Sequence, residues 1–296
     1  MTISHKTERE NNPRPLDAAL SELMDEINLK RNQVDPSEPS GICTGFPDLD
    51  RLTNGLRAGS LIVIGARPAM GKTSLAFNVA LNVALEQKLP VAIFSMEMSS
   101  MQLAERLVCQ TGGICSHRVR SGRLDPDNLM TIDAALEKLR AAVICVDDTP
   151  ALKAREICSR AWEIHGQHGQ LGLIVVDYLQ CMCSIDSAKE SERVMSTFRD
   201  LARELDAPVV VLSQLNRKLE KRKDKRPRLS DFVFGRIVQS ADLVMFLYRD
   251  EYYKPNTKDK GTAELIVARN RHGPVGTIRL RFDDKHLNFK SIDYSS

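Results

Sequence analysis

The sequence predicts an α/β fold: a mostly parallel sheet with helices on both faces and an antiparallel extension at the C-terminal end. Three observations predict it. From about residue 42, short apolar runs alternate with helical segments. The runs are continuously apolar rather than alternating, as in strands buried on both faces. Beyond residue 262 helical segments give way to three strand-like stretches joined by turns.

Taken in order, residues 1–14 are polar and read as a mobile tail. Pro15 is placed to start a helix, and Leu16, Leu20, Leu23 and Ile27 recur at helical spacing. Residues 15–34 therefore read as a linker-like amphipathic helix. Its apolar stripe must be covered, either by its own domain or by a neighbouring subunit. Residues 35–41, rich in Pro, Ser and Gly, read as a linker. One domain then spans 42–296. Its buried strands are predicted at Leu61–Gly65, Val91–Ser95, Val143–Val146, Leu173–Val176, Val209–Leu212 and Leu243–Leu247. Helices are predicted at Thr73–Glu86, Met101–Cys109, Asn128–Leu139, Arg155–His165 and Val194–Leu205. Ala263–Ala268, Gly276–Phe282 and Leu287–Lys290 form the antiparallel tail, with His272-Gly273-Pro274 as one of its turns.

Composition narrows the class. Hydrophobic residues make up 42% of the 296, enough for a sizeable core, and 27% charged residues suit a soluble, ordered chain. A net charge of +3 is too small to argue for nucleic acid by itself. The seven cysteines contain no C-x-x-C pair, which argues against a disulfide framework and a zinc site and for the reducing cytosol. Cys181 and Cys183, one residue apart, read as small hydrophobes rather than a redox pair. The N-terminus lacks the apolar core of a signal peptide, and no stretch reaches the length of a membrane span.

The chemistry begins after the first predicted strand. Ala66-Arg67-Pro68-Ala69-Met70-Gly71-Lys72-Thr73 follows Leu61–Gly65 and leads, through Ser74, into a helix. A strand, a tight loop and a helix N-terminus surround an anion with backbone N–H groups and the positive end of the helix dipole. Residues 66–74 are therefore the candidate nucleotide-binding segment. Lys72 would reach the β- and γ-phosphates and Thr73 would coordinate Mg²⁺. The pattern G-x-x-x-x-G-K-[ST] departs at its first position, where Ala66 replaces glycine. The backbone there must avoid any conformation reserved for glycine. The bland alternative, a Gly-Lys-Thr that caps an ordinary helix, is disfavoured by the flanking strand and helix.

In phosphate-loop enzymes a carboxylate at another strand's end orders the Mg²⁺ shell, directly or through water. Asp177, closing the apolar run Leu173–Val176, is placed for that role. Glu97 closely follows Val91–Ser95. It is either a general base for the attacking water or a solvated strand-end acid. Gln214 closes Val209–Ser213, and is either a γ-phosphate sensor or a surface amide.

Taken together, these residues resemble the C-terminal ATPase domain of the DnaB-type replicative helicases, within the RecA-like phosphate-loop ATPases. The resemblance runs from about residue 15 to residue 290. It is carried by Thr44–Asp50, Ala66–Thr73, Phe94–Ser99, Ile174–Gln180, Leu212–Arg217, Phe246–Tyr253 and Arg269–Pro274. It implies a RecA-like core, ATP and Mg²⁺ as ligands, and a ring-shaped homo-oligomer, a hexamer, that moves on single-stranded DNA. It matches Lys72 and Thr73 to phosphate and Mg²⁺ ligands, Glu97 to the catalytic base, Asp177 to the second acidic motif and Gln214 to the sensor. It matches Arg271 to a finger that enters the neighbouring subunit's site. Arg269 falls where the family usually carries Lys, so charge is kept and geometry changes.

Two departures set further expectations. Only the helix from Leu16 to about Arg31 stands where the family carries a collar domain, so contact with primase through that surface is not expected. The family's DNA-binding loop reads Arg-Glu-Ser-Gly shortly after Leu-Ser-Asp. Here Leu229-Ser230-Asp231 leads into Phe232–Gln239, one residue shorter and with its arginine displaced to Arg236. The basic run Arg217, Lys218, Lys221, Arg222, Lys223, Lys225, Arg226 and Arg228 would either track phosphates or form a solvated loop. Three readings stay open: a DNA translocase, an accessory ATPase subunit that joins a full-length replicative helicase or its loader, and, less favoured, a recombinase-like filament. None involves a membrane.

Overall fold

The computed structural model describes residues 15–31, 39–182, 188–233 and 237–292. The tail 1–14, linker residues 35–38, Cys183 and the pair Gly235-Arg236 lie outside the described residues. The chain divides into two compact units, one ending at Ser40 and one spanning Gly41–Ser296. The first contains α1 (Leu16–Arg31), with Asp17 in its first turn, where a negative charge suits the helix dipole. Leu16, Leu20, Leu23, Met24 and Ile27 are all exposed on α1.

The second unit is built on a nine-stranded sheet. Its strands are β1 (Leu61–Ala66), β2 (Val91–Ser95), β3 (Ile144–Asp147), β4 (Leu173–Asp177), β5 (Val209–Gln214), β6 (Leu243–Tyr248), β7 (Thr262–Asn270), β8 (Gly276–Asp283) and β9 (Asn288–Ser291). The order across the sheet is β3-β2-β4-β5-β1-β6-β7-β8-β9. The first six are parallel; β7, β8 and β9 add on antiparallel. This is the architecture the alternating and then strand-only pattern predicts.

Helices cover both faces. They are α2 (Pro47–Thr53), α3 (Lys72–Leu81), α4 (Ser100–Gly112), α5 (Ser116–Ser121), α6 (Pro126–Arg140), α7 (Ala154–His168), α8 (Ala188–Glu204), α9 (Ile237–Ser240) and α10 (Asp250–Tyr253). Side chains alternate across the strands, so Ile62 and Ile64 join one core and Leu61 and Val63 the other. The first core takes Leu75, Phe77 and Val79 from α3; the second takes Met195, Phe198 and Leu201 from α8. Phe77 and Phe198 are wholly buried, and truncating such a residue to Ala costs about 3–5 kcal/mol. Cys109 is buried and Cys158 packs half-buried against the second core, and burial pushes both thiols up to about 11. Among the described residues, no helix is long and apolar enough to cross a membrane.

One helix differs from its sequence expectation. The stretch expected to run from Thr73 to Glu86 is α-helical only to Leu81, then widens into a π-helical turn over Asn82–Glu86. The wider turn lets two side chains reach one peptide unit. Asn82 Nδ2 and Gln87 Nε2 both donate to the Cys43 carbonyl, at 2.9 and 2.7 Å, and Gln87 Oε1 accepts from Cys43 N at 3.0 Å. Gly45 has φ +85°, and a Cβ there would lie 2.8 Å from the Asn82 side chain, so the close approach needs glycine.

Candidate nucleotide site

Strands β2, β4, β5 and β1 lie side by side, and all four end at the same edge. The register pairs Ser95 with Asp177 and Gln214 with Ala66. Glu97, Asp177, Gln214 and the phosphate loop are thereby gathered along one edge, although up to 148 positions separate them in sequence. Ligands of open α/β sheets bind at such carboxyl ends.

The loop between β1 and α3 meets its missing first glycine in a simple way. Ala66 is the last residue of β1, is paired on both sides, and needs no glycine-only conformation. The unusual backbone falls elsewhere. Gly71 has φ +95°, and a Cβ on it would lie 2.8 Å from the Phe289 ring. Ala69 also lies in the left-handed region, at φ 62°, which costs a non-glycine residue about 1 kcal/mol or more. Met70 and Ser74 are buried, with the Met70 N–H donating to the Arg67 carbonyl at 3.4 Å, while Pro68 and Ala69 are exposed. Arg67 is 7% exposed and turned away from solvent. Its Nε donates to Glu220 Oε1 at 2.7 Å, and its Nη1 to the Leu215 carbonyl at 2.8 Å. Of the candidate binding segment, Arg67 is thus a brace between the loop and the chain after Gln214.

Lys72, Thr73 and Asp177 form one cluster. Thr73 Oγ1 donates to Asp177 Oδ2 at 2.7 Å, and Lys72 Nζ lies 3.3 Å from Asp177 Oδ1. Lys72 also sits 4.9 Å above the Tyr178 ring. Asp177 is completely buried, and a carboxylate in that position requires partners. A hydroxyl beside a carboxylate is an oxygen-only donor set, which suits a hard cation such as Mg²⁺. Glu97 follows β2 by two residues and is exposed, as an acid that meets a water must be. Gln214 is half-buried, and its backbone is held from both sides. Its N–H donates to Gln180 Oε1 at 3.1 Å, while Gln180 Nε2 donates to its carbonyl at 2.9 Å.

Three residues here take places that the sequence reading did not assign to them. Gln180 clamps the backbone at Gln214, Arg67 braces the loop, and Arg106 on α4 lies close to both acids. Burial lowers the Arg106 pKa, and the charges of Asp177 and Glu97 work against that fall. Spacing could not link these pairs, because each joins different strands or helices.

Arg269 and Arg271 do not join the cluster. β7 runs antiparallel to β6, and its end pairs Asn270 with Leu243, beside Ile62 at the start of β1. The Arg271 backbone N–H donates to the Asp242 carbonyl at 2.8 Å, and Arg271 Nη1 to Asp242 Oδ1 at 2.8 Å. Asp242 and Leu247, the partner of Ala66, are separated by five positions of strand, about 16 Å at roughly 3.3 Å each. Arg271 is therefore at the opposite edge of the sheet from its own phosphate loop. Arg269 Nη1 donates to the Val238 carbonyl at 2.5 Å.

The basic run is folded rather than loose, which separates its members. Arg222 makes a two-pronged pair with Asp231, both contacts at 2.8 Å. Arg226 pairs likewise with Glu264, both at 2.7 Å, and lies over the Tyr248 ring. Lys225 donates to the carbonyls of Glu220 and Arg222. Arg217, Lys218, Lys221, Lys223 and Arg228 are exposed.

Residues 41–291 match the family described as the DnaB-like helicase C-terminal domain. The chain is 40% identical over 280 residues to the replicative DNA helicase DnaB of Geobacillus stearothermophilus, covering 93% of this chain and 61% of that protein. With DnaB of Haemophilus influenzae the identity is 37% over 294 residues, or 97% of this chain and 63% of that one. The chain thus spans about three-fifths of the length of these relatives. Among solved structures it resembles an ATPase domain, with a TM-score of 0.88 at 31% identity, covering 95% of this chain and all of that one. It also resembles a DnaB-like replicative helicase studied with primase, with a TM-score of 0.85 at 30% identity, covering 97% and 69%.

Proposed function

Because this chain belongs to the DnaB-like helicase C-terminal domain family, we propose that it is an ATP-driven motor that works as a ring of copies, six in number, on single-stranded DNA. The nucleotide would sit on the phosphate loop, with Mg²⁺ held by Thr73 and by Asp177, directly or through water. Bound there, Mg²⁺ would neutralise charge on the phosphates. Lys72 would meet the β- and γ-phosphates, and Glu97 would take a proton from the attacking water. Gln214 would register the γ-phosphate, with Gln180 fixing the backbone from which it reaches. The thiols of Cys109 and Cys158 suit the reducing cytosol.

One observation carries this reading. A subunit has an acid, base and cation cluster at one edge of its sheet and a partly exposed guanidinium, Arg271, about 16 Å away at the other edge. Arg271 cannot reach its own phosphates, but a second copy can present it. Repeating a contact that joins unlike edges builds a ring where the rotation closes and an open filament where it does not, and the family's helicases favour the ring. The test is fork unwinding by the purified chain, beside ATP hydrolysis with and without single-stranded DNA. Unwinding with DNA-stimulated hydrolysis is expected. Unwinding only after mixing with a full-length relative would make the chain an accessory subunit. Absence of hydrolysis in both settings would overturn the reading.

The folded basic run sharpens the DNA test. Arg222 and Lys225 hold the segment together, so neutralising them would disturb structure as well as charge. Neutralising Arg217, Lys218, Lys221 and Lys223 instead is expected to weaken single-strand binding equally for all sequences. The slope of log affinity against log salt should flatten by about 0.7 for each phosphate no longer neutralised. Hydrolysis without DNA should hold. An unchanged affinity and slope would assign DNA binding elsewhere.

A further inference from the structure

We infer that Asp242 and Arg199 are positioning residues that hold and release Arg271, two guanidinium groups sharing one buried carboxylate that the second keeps when the first leaves. The inference rests on the reading that Arg271 acts in a neighbouring copy's site.

Asp242 sits where β6 begins and uses all of its hydrogen-bonding groups. Its backbone N–H donates to the Leu61 carbonyl at 2.8 Å, and its carbonyl accepts from Arg271 N at 2.8 Å. Carboxylate Oδ2 is committed to Leu61 N at 3.0 Å. The other oxygen, Oδ1, is shared by two side chains. Arg271 Nη1 donates to it at 2.8 Å, and Arg199 Nη2 donates to it more loosely at 3.4 Å. Arg199 comes from α8, whereas Arg271 comes from the turn after β7. The Arg199 Nε is buried with no hydrogen-bond partner among the described residues. A buried donor left unmade is destabilising, so Arg199 gains if it turns its Nε onto the Asp242 carboxylate when Arg271 leaves.

The exposures give the direction of the exchange. The side chains of Asp242, Arg199 and Arg271 are 10%, 21% and 39% exposed. Arg271 is the member that can leave. Without Arg199, its departure would strand a buried carboxylate, which is strongly unfavourable and would keep the finger docked. With Arg199 already on Oδ1, the carboxylate keeps a guanidinium partner when Arg271 departs. The Arg271 backbone stays bonded to Asp242, so the side chain swings from a fixed root. Arg269, by contrast, is tied to Val238 on its own subunit.

The test compares ATP turnover and nucleotide affinity in the full chain. Arg199→Ala is expected to lower kcat about tenfold, because the fraction of fingers available falls, while nucleotide affinity stays put. Arg199→Lys should recover most of the rate. Adding Asp242→Asn to Arg199→Ala should also restore turnover, because the amide no longer holds Arg271 by charge. A purely structural role predicts the reverse: the double variant would be as slow as Arg199→Ala or slower. Should Arg199→Ala not fold, Arg199→Gln keeps the bulk without the charge and carries the same comparison. Arg271→Ala is run in parallel. If it keeps wild-type turnover, the finger reading fails and this inference falls with it. If Arg271→Ala loses turnover but Arg199→Ala does not, or the double variant gains nothing over it, the exchange alone is overturned.

Discussion

Lys72→Ala is expected to remove ATP turnover, by at least about two orders of magnitude. The reason lies in what surrounds the ammonium. Lys72 is the cation of the loop that faces Asp177, at 3.3 Å; the loop's other cation, Arg67, is turned away toward Glu220 and Leu215. No side chain of the loop can therefore stand in for it. The companion variant separates binding from chemistry. Glu97 is exposed and is absent from the Lys72–Thr73–Asp177 bonding, so Glu97→Gln should leave nucleotide affinity intact. Its loss as a base should lower kcat by about 10²–10⁴. Equilibrium binding of a fluorescent ATP analogue and phosphate release, measured on both variants, give the comparison. Wild-type turnover in Glu97→Gln would move the base to another residue.

Much of this site could be read from the sequence because its parts are local. A strand, a loop and a helix N-terminus are contiguous in residues 61–81, and a continuous apolar run ending in an acid, as at Leu173–Asp177, is its own signal. The parallel sheet was legible for the same reason: strands buried on both faces have no polar positions to confuse the pattern. The antiparallel tail alternates instead, and β8 shows that period in its burial.

What escaped the sequence is long-range. Arg67 and Glu220 are 153 positions apart, and Leu61 and Asp242 are 181 apart. Neither pair has a spacing that could announce it. The basic run shows the opposite error. Eight cations in twelve residues look alike in sequence, yet Arg222 and Arg226 are committed to Asp231 and Glu264. Charge density alone cannot separate a cation that folds a segment from one that faces solvent. The π-helical turn is a further case, because helical periodicity continues through Asn82–Glu86 and only the tether to Cys43 distinguishes it.

Arg271→Ala should lose turnover on the order of 10³-fold while keeping nucleotide affinity, since a finger acts on charge that develops as the γ-phosphoryl leaves. The variant alone does not say in which subunit the residue works. Mixing does. Lys72→Ala subunits have intact fingers and disabled loops; Arg271→Ala subunits have the converse. If each nucleotide lies between two copies, a mixed ring contains some interfaces that join an intact loop to an intact finger. Random mixing at equal amounts gives such an interface about one time in four, so recovery to a fraction of that order is expected when interfaces turn over independently. Strict coupling around the ring would lower the recovery and sharpen its dependence on the mixing ratio. The geometry of a single chain argues for the shared site, because Arg271 is anchored at Asp242, across the sheet from Ala66. If mixed oligomers form, shown by differently tagged subunits purifying together, and turnover stays absent at every ratio, then Arg271 does not complete a neighbour's site. The hold on Asp242 would then be its whole role.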